Sequence, residues 1–201
     1  MQRLGILGGT FDPPHIGHLI LAEYTLEALE LDHLLFVPVG NHAFKENNTR
    51  TGVKHRLAMT ELAIAGNDRF SISRVDVERP GPHYSADTVQ IIREQYTEAE
   101  LFFVMGGDNL RQLPDWKQAQ DLYARCKLAV MRRSDEDITP DMHGDKLPGL
   151  AERVVMVDAP LLGVWISSTH VIERLEQGKS VRYIVPEAVL NYIRRHGLYL
   201  T

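Results

Sequence analysis

Residues 4–18 read Leu-Gly-Ile-Leu-Gly-Gly-Thr-Phe-Asp-Pro-Pro-His-Ile-Gly-His, and this stretch decides the fold. Leu4 to Leu7 is a short apolar run of strand length, suited to a strand covered on both faces. It ends in Gly8-Gly9 and passes through a loop holding Pro13 and Pro14. At Leu19 it gives way to helical spacing through Leu19, Ala22, Glu23, Leu26 and Leu29. Strand, glycine-rich loop and helix form the opening unit of a doubly wound sheet, in which ligands sit beyond the carboxyl ends of the strands.

The same alternation continues outward. Strands are predicted at Leu34 to Val37 (closed by Pro38), Phe70 to Val77, Leu101 to Met105, Lys127 to Met131 and Arg153 to Val157. Helices are predicted at Val53 to Ala65, Ser85 to Tyr96, His170 to Gln177 and Pro186 to His196, with Gly66, Gly178 and Gly197 as stops. Nearly all-apolar strands alternating with helices imply an α/β, Rossmann-like parallel sheet with helices on both faces. A small helical portion closes the chain. Ser134 to Gly149 is acidic and carries Pro140, Gly144, Pro148 and Gly149, so it reads as an exposed connection within a single domain spanning 1–201.

Composition narrows the function classes. The 201 residues are 44% hydrophobic and 24% charged, with 22 Lys plus Arg against 27 Asp plus Glu and a net charge of −5. That balance argues against a nucleic-acid-backbone binder but allows a local anion site. One cysteine, Cys126, makes neither an internal disulfide nor a Cys-rich zinc site and suits a reducing compartment. No apolar run approaches the ~20 residues of a membrane span, and the N-terminus lacks a signal-peptide pattern. The expectation is a cytoplasmic protein without membrane or nucleic-acid partners; a homo-oligomer is left open.

The first loop carries the chemistry. Gly8 and Gly9 let backbone approach a ligand, and the following helix start offers amide donors to phosphate. His15 and His18, three residues apart at that entrance, can point their rings the same way. With Thr10 they supply donors to phosphoryl oxygens. The loop lacks the dinucleotide spacing G-x-G-x-x-G, and Gly178-Lys179-Ser180 is no P-loop because Glu173 stands where the upstream glycine belongs. A zinc pair would need further ligands, and two surface histidines at a helix cap is the bland alternative. Ile166-Ser167-Ser168-Thr169 opens a second helix. Its hydroxyls could be simple caps, but no Glu or Gln follows three residues on, so the entrance has no capping-box carboxylate and can accept an outside anion.

The pairing of GGTFDPPHIGHL with ISST resembles the nucleotidyltransferases of the H-x-G-H superfamily, and more narrowly the bacterial nicotinate-mononucleotide adenylyltransferases. The resemblance runs nearly end to end. It includes His55-Arg56-Leu57-Ala58-Met59, Arg79-Pro80-Gly81-Pro82, Tyr84, Asp87-Thr88, Met105-Gly106-Gly107-Asp108, Leu113-Pro114-Asp115-Trp116 and Gly178 to Tyr183. It implies attack by the phosphate of nicotinate mononucleotide on the α-phosphorus of ATP, giving nicotinate adenine dinucleotide (deamido-NAD) and pyrophosphate, with Mg²⁺ carried on ATP. Such a reaction needs positioning and charge neutralisation, not a covalent nucleophile. The resemblance assigns catalysis to His15, His18, Lys45 and Thr10. It assigns ATP to Gly8, Gly9, Thr10, Phe11, His15, His18, Ile166, Ser167, Ser168 and Thr169, and the mononucleotide to Asp12, Lys45, Tyr84, Ser85, Asp108 and Trp116. No resident metal ligands are implied.

The chain departs from the family pattern in three places: Ile172 replaces a triphosphate-binding arginine, Asn41 to Phe44 replace a proline- and histidine-bearing run, and His83 replaces a serine. Arg174 or Lys179 are candidates to compensate for Ile172. His15-Ile16-Gly17-His18 also spells the class I aminoacyl-tRNA synthetase signature, but 201 residues leave no room for a tRNA-reading domain and ISST stands where the lysine-rich second motif belongs. The remaining alternatives are a sister adenylyltransferase acting on nicotinamide mononucleotide or another substrate, and a catalytically weak nucleotide-binding module.

Overall fold

The computed structural model describes residues 1–40, 49–132, 137–158 and 166–200. Six strands form one sheet: β1 (Arg3–Gly9), β2 (His33–Pro38), β3 (Phe70–Ile72), β4 (Glu100–Gly106), β5 (Lys127–Arg132) and β6 (Val154–Asp158). All neighbours run parallel, in the order β3-β2-β1-β4-β5-β6. The helices are α1 (Ile16–Ala28), α2 (Val53–Ile64), α3 (Ser85–Gln95), α4 (Gly107–Gln112), α5 (Ala119–Arg125), α6 (Ser168–Glu176) and α7 (Glu187–His196). This is the Rossmann-like arrangement expected from the sequence, and its strand order reverses between β1 and β4.

Both faces of the sheet are buried, which explains strands without polar alternation. Leu101, Phe103 and Met105 pack on one side with Val89 and Ile92 of α3 and Leu122 of α5. Phe102 and Val104 pack on the other with Ala22 and Leu26 of α1. A third cluster joins Met59 of α2 to Val171 of α6 and Val189, Leu190 and Ile193 of α7. That cluster brings the C-terminal helices against α2.

The strand register opens a crevice. β1 pairs with β2 up to Gly9↔Pro38, but with β4 only up to Ile6↔Phe103. Beyond that point β4 follows β5 to Gly106↔Met131. The backbone of Gly8 and Gly9 therefore separates from Val104 to Gly106 at the topological switch point.

Two expectations are corrected. The third strand ends at Ile72, not Val77. Asp76 is buried, and its carboxylate accepts from Thr88 Oγ1 at 2.8 Å and Arg79 Nη2 at 2.9 Å. A buried carboxylate needs such donors, and they hold it in a turn outside the ladder. Of the expected exposed connection 134–149, residues 137–149 are described, and they bury Ile138 and Leu147 in the core while Asp137, Asp141 and Asp145 face solvent. His143 Nε2 lies 2.8 Å from the Leu110 carbonyl. The acidic residues dominated the sequence pattern, although the apolar ones anchor the segment. Helices α4 and α5, of six and seven residues, were not anticipated; they are too short to display a period.

Candidate active site

Two cavities flank the carboxyl end of β1. The first, of about 590 Å³, is lined by Gly8, Gly9, Val37, Val39, Asp76, His83, Tyr84, Ser85, Thr88, Phe103, Asn109, Gln112, Trp116 and Lys117, among others. The second, of about 800 Å³, is lined by Thr10, Phe11, Asp12, His15, Gly17, His18, Arg50, Gly106 to Asp108 and, from the α6 end, Ile166 to Thr169, Ile172, Glu173 and Glu176. Consecutive residues of the first loop thus face different cavities, with Gly8 and Gly9 in one and Thr10 and Phe11 in the other.

The loop is held from below. Phe11 is 1% exposed with φ +51°, and its ring lies where a Cβ on Gly9 would come within 2.8 Å. A side chain at position 9 would therefore have to displace this buried ring. Phe11 meets His18 edge-on at 5.0 Å and Phe36 at 5.7 Å, and it lines the histidine cavity. Arg56, 1% exposed, donates from Nη1 to the Thr10 carbonyl (2.8 Å) and from Nη2 to the Gly40 carbonyl (2.9 Å). It ties together the loops after β1 and β2.

His15 is the N-cap of α1 and His18 its third residue. Their rings stack at 3.7 Å, 25° from parallel. The His15 backbone N–H donates to His18 Nδ1 at 3.2 Å, so the neutral His18 carries its proton on Nε2. Burial lowers the His15 pKa to about 4. Burial, and then the charge of His15, hold His18 well below the ordinary histidine range. Both are neutral at pH 7. His15 Nδ1 has no partner among the described residues. The arrangement presents uncharged imidazole N–H donors that gain charge when an anion arrives.

Asp12, expected at the mononucleotide, lies on the wall of the histidine cavity and is bonded within the protein. Its carboxylate accepts from the backbone N–H of Arg50 (2.6 Å) and Thr51 (3.2 Å), from Thr51 Oγ1 (2.6 Å) and from Tyr199 OH (2.5 Å). Its acceptor positions are taken up within the protein, and it anchors the chain around residue 50 and the C-terminal tail beside the histidine loop. Burial, then the bond to Asp12, pushes the Tyr199 hydroxyl pKa far up.

Ser167, Ser168 and Thr169 divide their work. Ser167 is the N-cap of α6 and accepts from the His170 N–H at 3.1 Å. Ser168 Oγ donates to the Pro13 carbonyl at 2.9 Å, joining α6 to the first loop. The helix starts at Ser168, two residues before the expected start. Arg174 donates twice to the Ser180 carbonyl, at 2.8 and 3.0 Å, and neither it nor Lys179 lines the cavity.

In the aromatic cavity, Trp116 is half-buried and edge-on to Phe103 at 6.3 Å and 88°. Tyr84 caps α3, with Ser85 as the first helical residue, and Lys117 Nζ stands 4.7 Å over the Tyr84 ring. Asp108 lies in the histidine cavity rather than this one. It is also not the N-cap of α4, which is Gly106. Lys45 falls outside the described residues. Arg50, Arg56, Lys117 and Tyr199 carried no assigned role in the sequence. Arg56 stood in a recognised run, but nothing local marked a buried guanidinium, and Tyr199 is 187 residues from its partner.

A glycine loop at a switch point, paired donors for phosphate and a helix entrance opposite define a nucleotidyltransferase. The family profile described as cytidylyltransferase-like matches residues 6–174. A probable nicotinate-nucleotide adenylyltransferase of Thermomicrobium roseum is 43% identical over 201 residues, covering 100% of this chain and 93% of the relative. Another, from Dehalococcoides mccartyi, is 43% identical over 98% of this chain and 97% of the relative. The solved structure of Plasmodium falciparum nicotinic acid mononucleotide adenylyltransferase complexed with NaAD superimposes with a TM-score of 0.80 at 18% identity, covering 99% of this chain and 98% of that one. The chain belongs to the cytidylyltransferase-like family and, within it, to the nicotinate-nucleotide adenylyltransferases, enzymes of NAD biosynthesis.

Proposed function

We propose that the histidine cavity binds ATP, that the aromatic cavity binds nicotinate mononucleotide, and that the two substrates meet over Gly8 to Thr10. The observation that carries this is the pair of chemically distinct cavities flanking one loop. One offers imidazole, hydroxyl and helix-entrance donors, and the other an indole, a phenol and a lysine. A phosphate oxygen of the mononucleotide attacks the α-phosphorus, the bond from the α-phosphorus to the bridging oxygen breaks, and pyrophosphate leaves with that electron pair. No base is needed, because the attacking phosphate is already anionic at neutral pH.

His15, His18 and Thr10 oppose the charge that grows on the transferring phosphoryl group. Ser167, Ser168, Thr169 and Ile166 shape the end that receives the β- and γ-phosphates, and Lys45 is a further cation for them. Asp108, on the wall of the histidine cavity, is placed for a ribose hydroxyl of ATP. Trp116 stacks on the pyridine ring, and Tyr84 and Ser85 fix its carboxylate side. Magnesium enters as part of the ATP substrate, held by phosphate oxygens and water. The donors facing ATP are N–H and O–H groups that suit those oxygens, and among the described residues no cluster of three His, Cys, Asp or Glu gathers for a resident ion.

We further read residues 1–201 as one domain, supported by the packing of α6 and α7 on Met59 of α2. A cytoplasmic site of action is supported by the single, buried thiol. Among the described residues no helix is long and apolar enough to cross a membrane. Pyrophosphate release measured with a panel of mononucleotides tests the reading. Release with nicotinate mononucleotide above all others is expected. Faster release with nicotinamide mononucleotide would reassign the substrate, and ATP binding without release would leave only a binding module.

A further inference from the structure

We infer that Arg50 is the residue that grips the ATP triphosphate in this chain, taking the place of the guanidinium missing at Ile172. The inference rests on the placement of ATP in the histidine cavity. Ile172 lies on the wall of that cavity and is 8% exposed, so the α6 face opposite the histidines presents a hydrocarbon where a polyanion must sit. The same wall carries Glu173 and Glu176, and Asp108 lines the cavity as well. Together these make it a poor receiver of a triphosphate without a cation.

Among the described lining residues, Arg50 is the one Lys or Arg. Its backbone is fixed: the N–H donates to the buried Asp12 carboxylate at 2.6 Å, three residues before His15. Its side chain is 65% exposed, and among the described residues its ion-pair partner is Glu176, at 3.7 Å and one helical turn beyond Ile172. An exposed pair at that distance is worth little. A phosphate oxygen can therefore displace Glu176, and the guanidinium fork matches phosphate geometry better than it matches this single contact. The compensating candidates read from the sequence are not available, because Arg174 is spent on the Ser180 carbonyl and Lys179 lies outside the cavity.

Direct binding of ATP and AMP to the full-length protein tests the assignment. Arg50→Ala should raise the Kd for ATP on the order of tenfold or more and leave that for AMP unchanged, because the guanidinium reaches the β- and γ-phosphates only. Glu176→Gln should tighten ATP by releasing Arg50. The double variant Arg50→Ala with Ile172→Arg should recover ATP affinity by supplying the charge from α6. The unfolding temperature of Arg50→Ala should match the parent, since the Asp12 bond uses the backbone. ATP affinity unchanged in Arg50→Ala overturns the inference. So does equal weakening of ATP and AMP, which would make Arg50 a support of the loop. A parent protein that binds no ATP overturns the placement of ATP itself and the inference with it.

Discussion

His18 gives the sharpest test at the level of single residues. Its Nδ1 is occupied by the His15 N–H, so Nε2–H is the donor left for the phosphoryl group. His18→Ala should lower kcat roughly 10²-fold or more while weakening ATP binding far less; pre-steady-state turnover and equilibrium binding separate the two. The stacked pair also makes a pH prediction. Folding depresses the pKa of both rings, so the unfolded chain takes up protons first as pH falls. Stability should be unaffected above the unfolded value near 6.5 and should fall below it, the His15 share being lost down to about pH 4, by at most about 1.4 kcal/mol per pH unit per histidine. Denaturant titrations of the parent and of His15→Gln across that range measure it, and the variant should show the shallower loss. The two histidines were legible in the sequence as a motif. Their neutrality was not, because it arises from burial by residues far along the chain.

At the level of elements, the loops matter more than the helices they join. Arg56 belongs to α2, yet it serves the loops after β1 and β2 by satisfying the carbonyls of Thr10 and Gly40. Arg56→Met should fill similar space and leave both carbonyls without their donor, costing on the order of 2–5 kcal/mol. Chemical denaturation would report the loss, and a variant as stable as the parent would show that the clamp is dispensable. Sequence periodicity located α2 and stopped it at the right place, but an arginine on a buried helical face reads as a solvated one until the fold closes over it. The shortened β3 has a similar cause. Residues 70–77 alternate as a strand should, but the carboxylate of Asp76 found its donors on Arg79 and Thr88, and side-chain partners of that kind leave no periodic trace.

For the whole molecule, the topology was the most legible property, because the central strands are apolar on both faces and, among the described residues, four of the five crossovers carry an α-helix. The division of the site was not. Asp12 and Asp108 looked alike as carboxylates near glycine loops, and both line the histidine cavity, but Asp12 is buried and bonded to Arg50, Thr51 and Tyr199 while Asp108 is exposed beside Arg111. Two separated cavities make a kinetic prediction. Trp116→Ala should raise KM for the mononucleotide while leaving KM for ATP nearly unchanged, since the indole lines only the aromatic cavity. In the parent, nicotinate mononucleotide should be favoured over the amide by roughly ten- to a hundredfold in kcat/KM, the cost of leaving one N–H donor facing an NH₂. Steady-state kinetics with both mononucleotides decides both points. Equal KM values in parent and variant would remove the stacking role, and equal efficiencies would remove the carboxylate preference.

Cys126 has a practical consequence. It is the only cysteine of the chain, buried just before β5, and burial pushes its pKa up to about 12. A thiol reagent has no thiolate to attack in the folded protein, so labelling must wait for the molecule to open. The rate of labelling is then a clock for opening, obtained without any engineered probe. Because neither cavity includes Cys126, a bound substrate slows the clock through stability and not by shielding the sulfur. The slowing should follow 1 + [L]/Kd for each substrate. ATP and mononucleotide affinities can thus be read from how long one silent thiol stays silent.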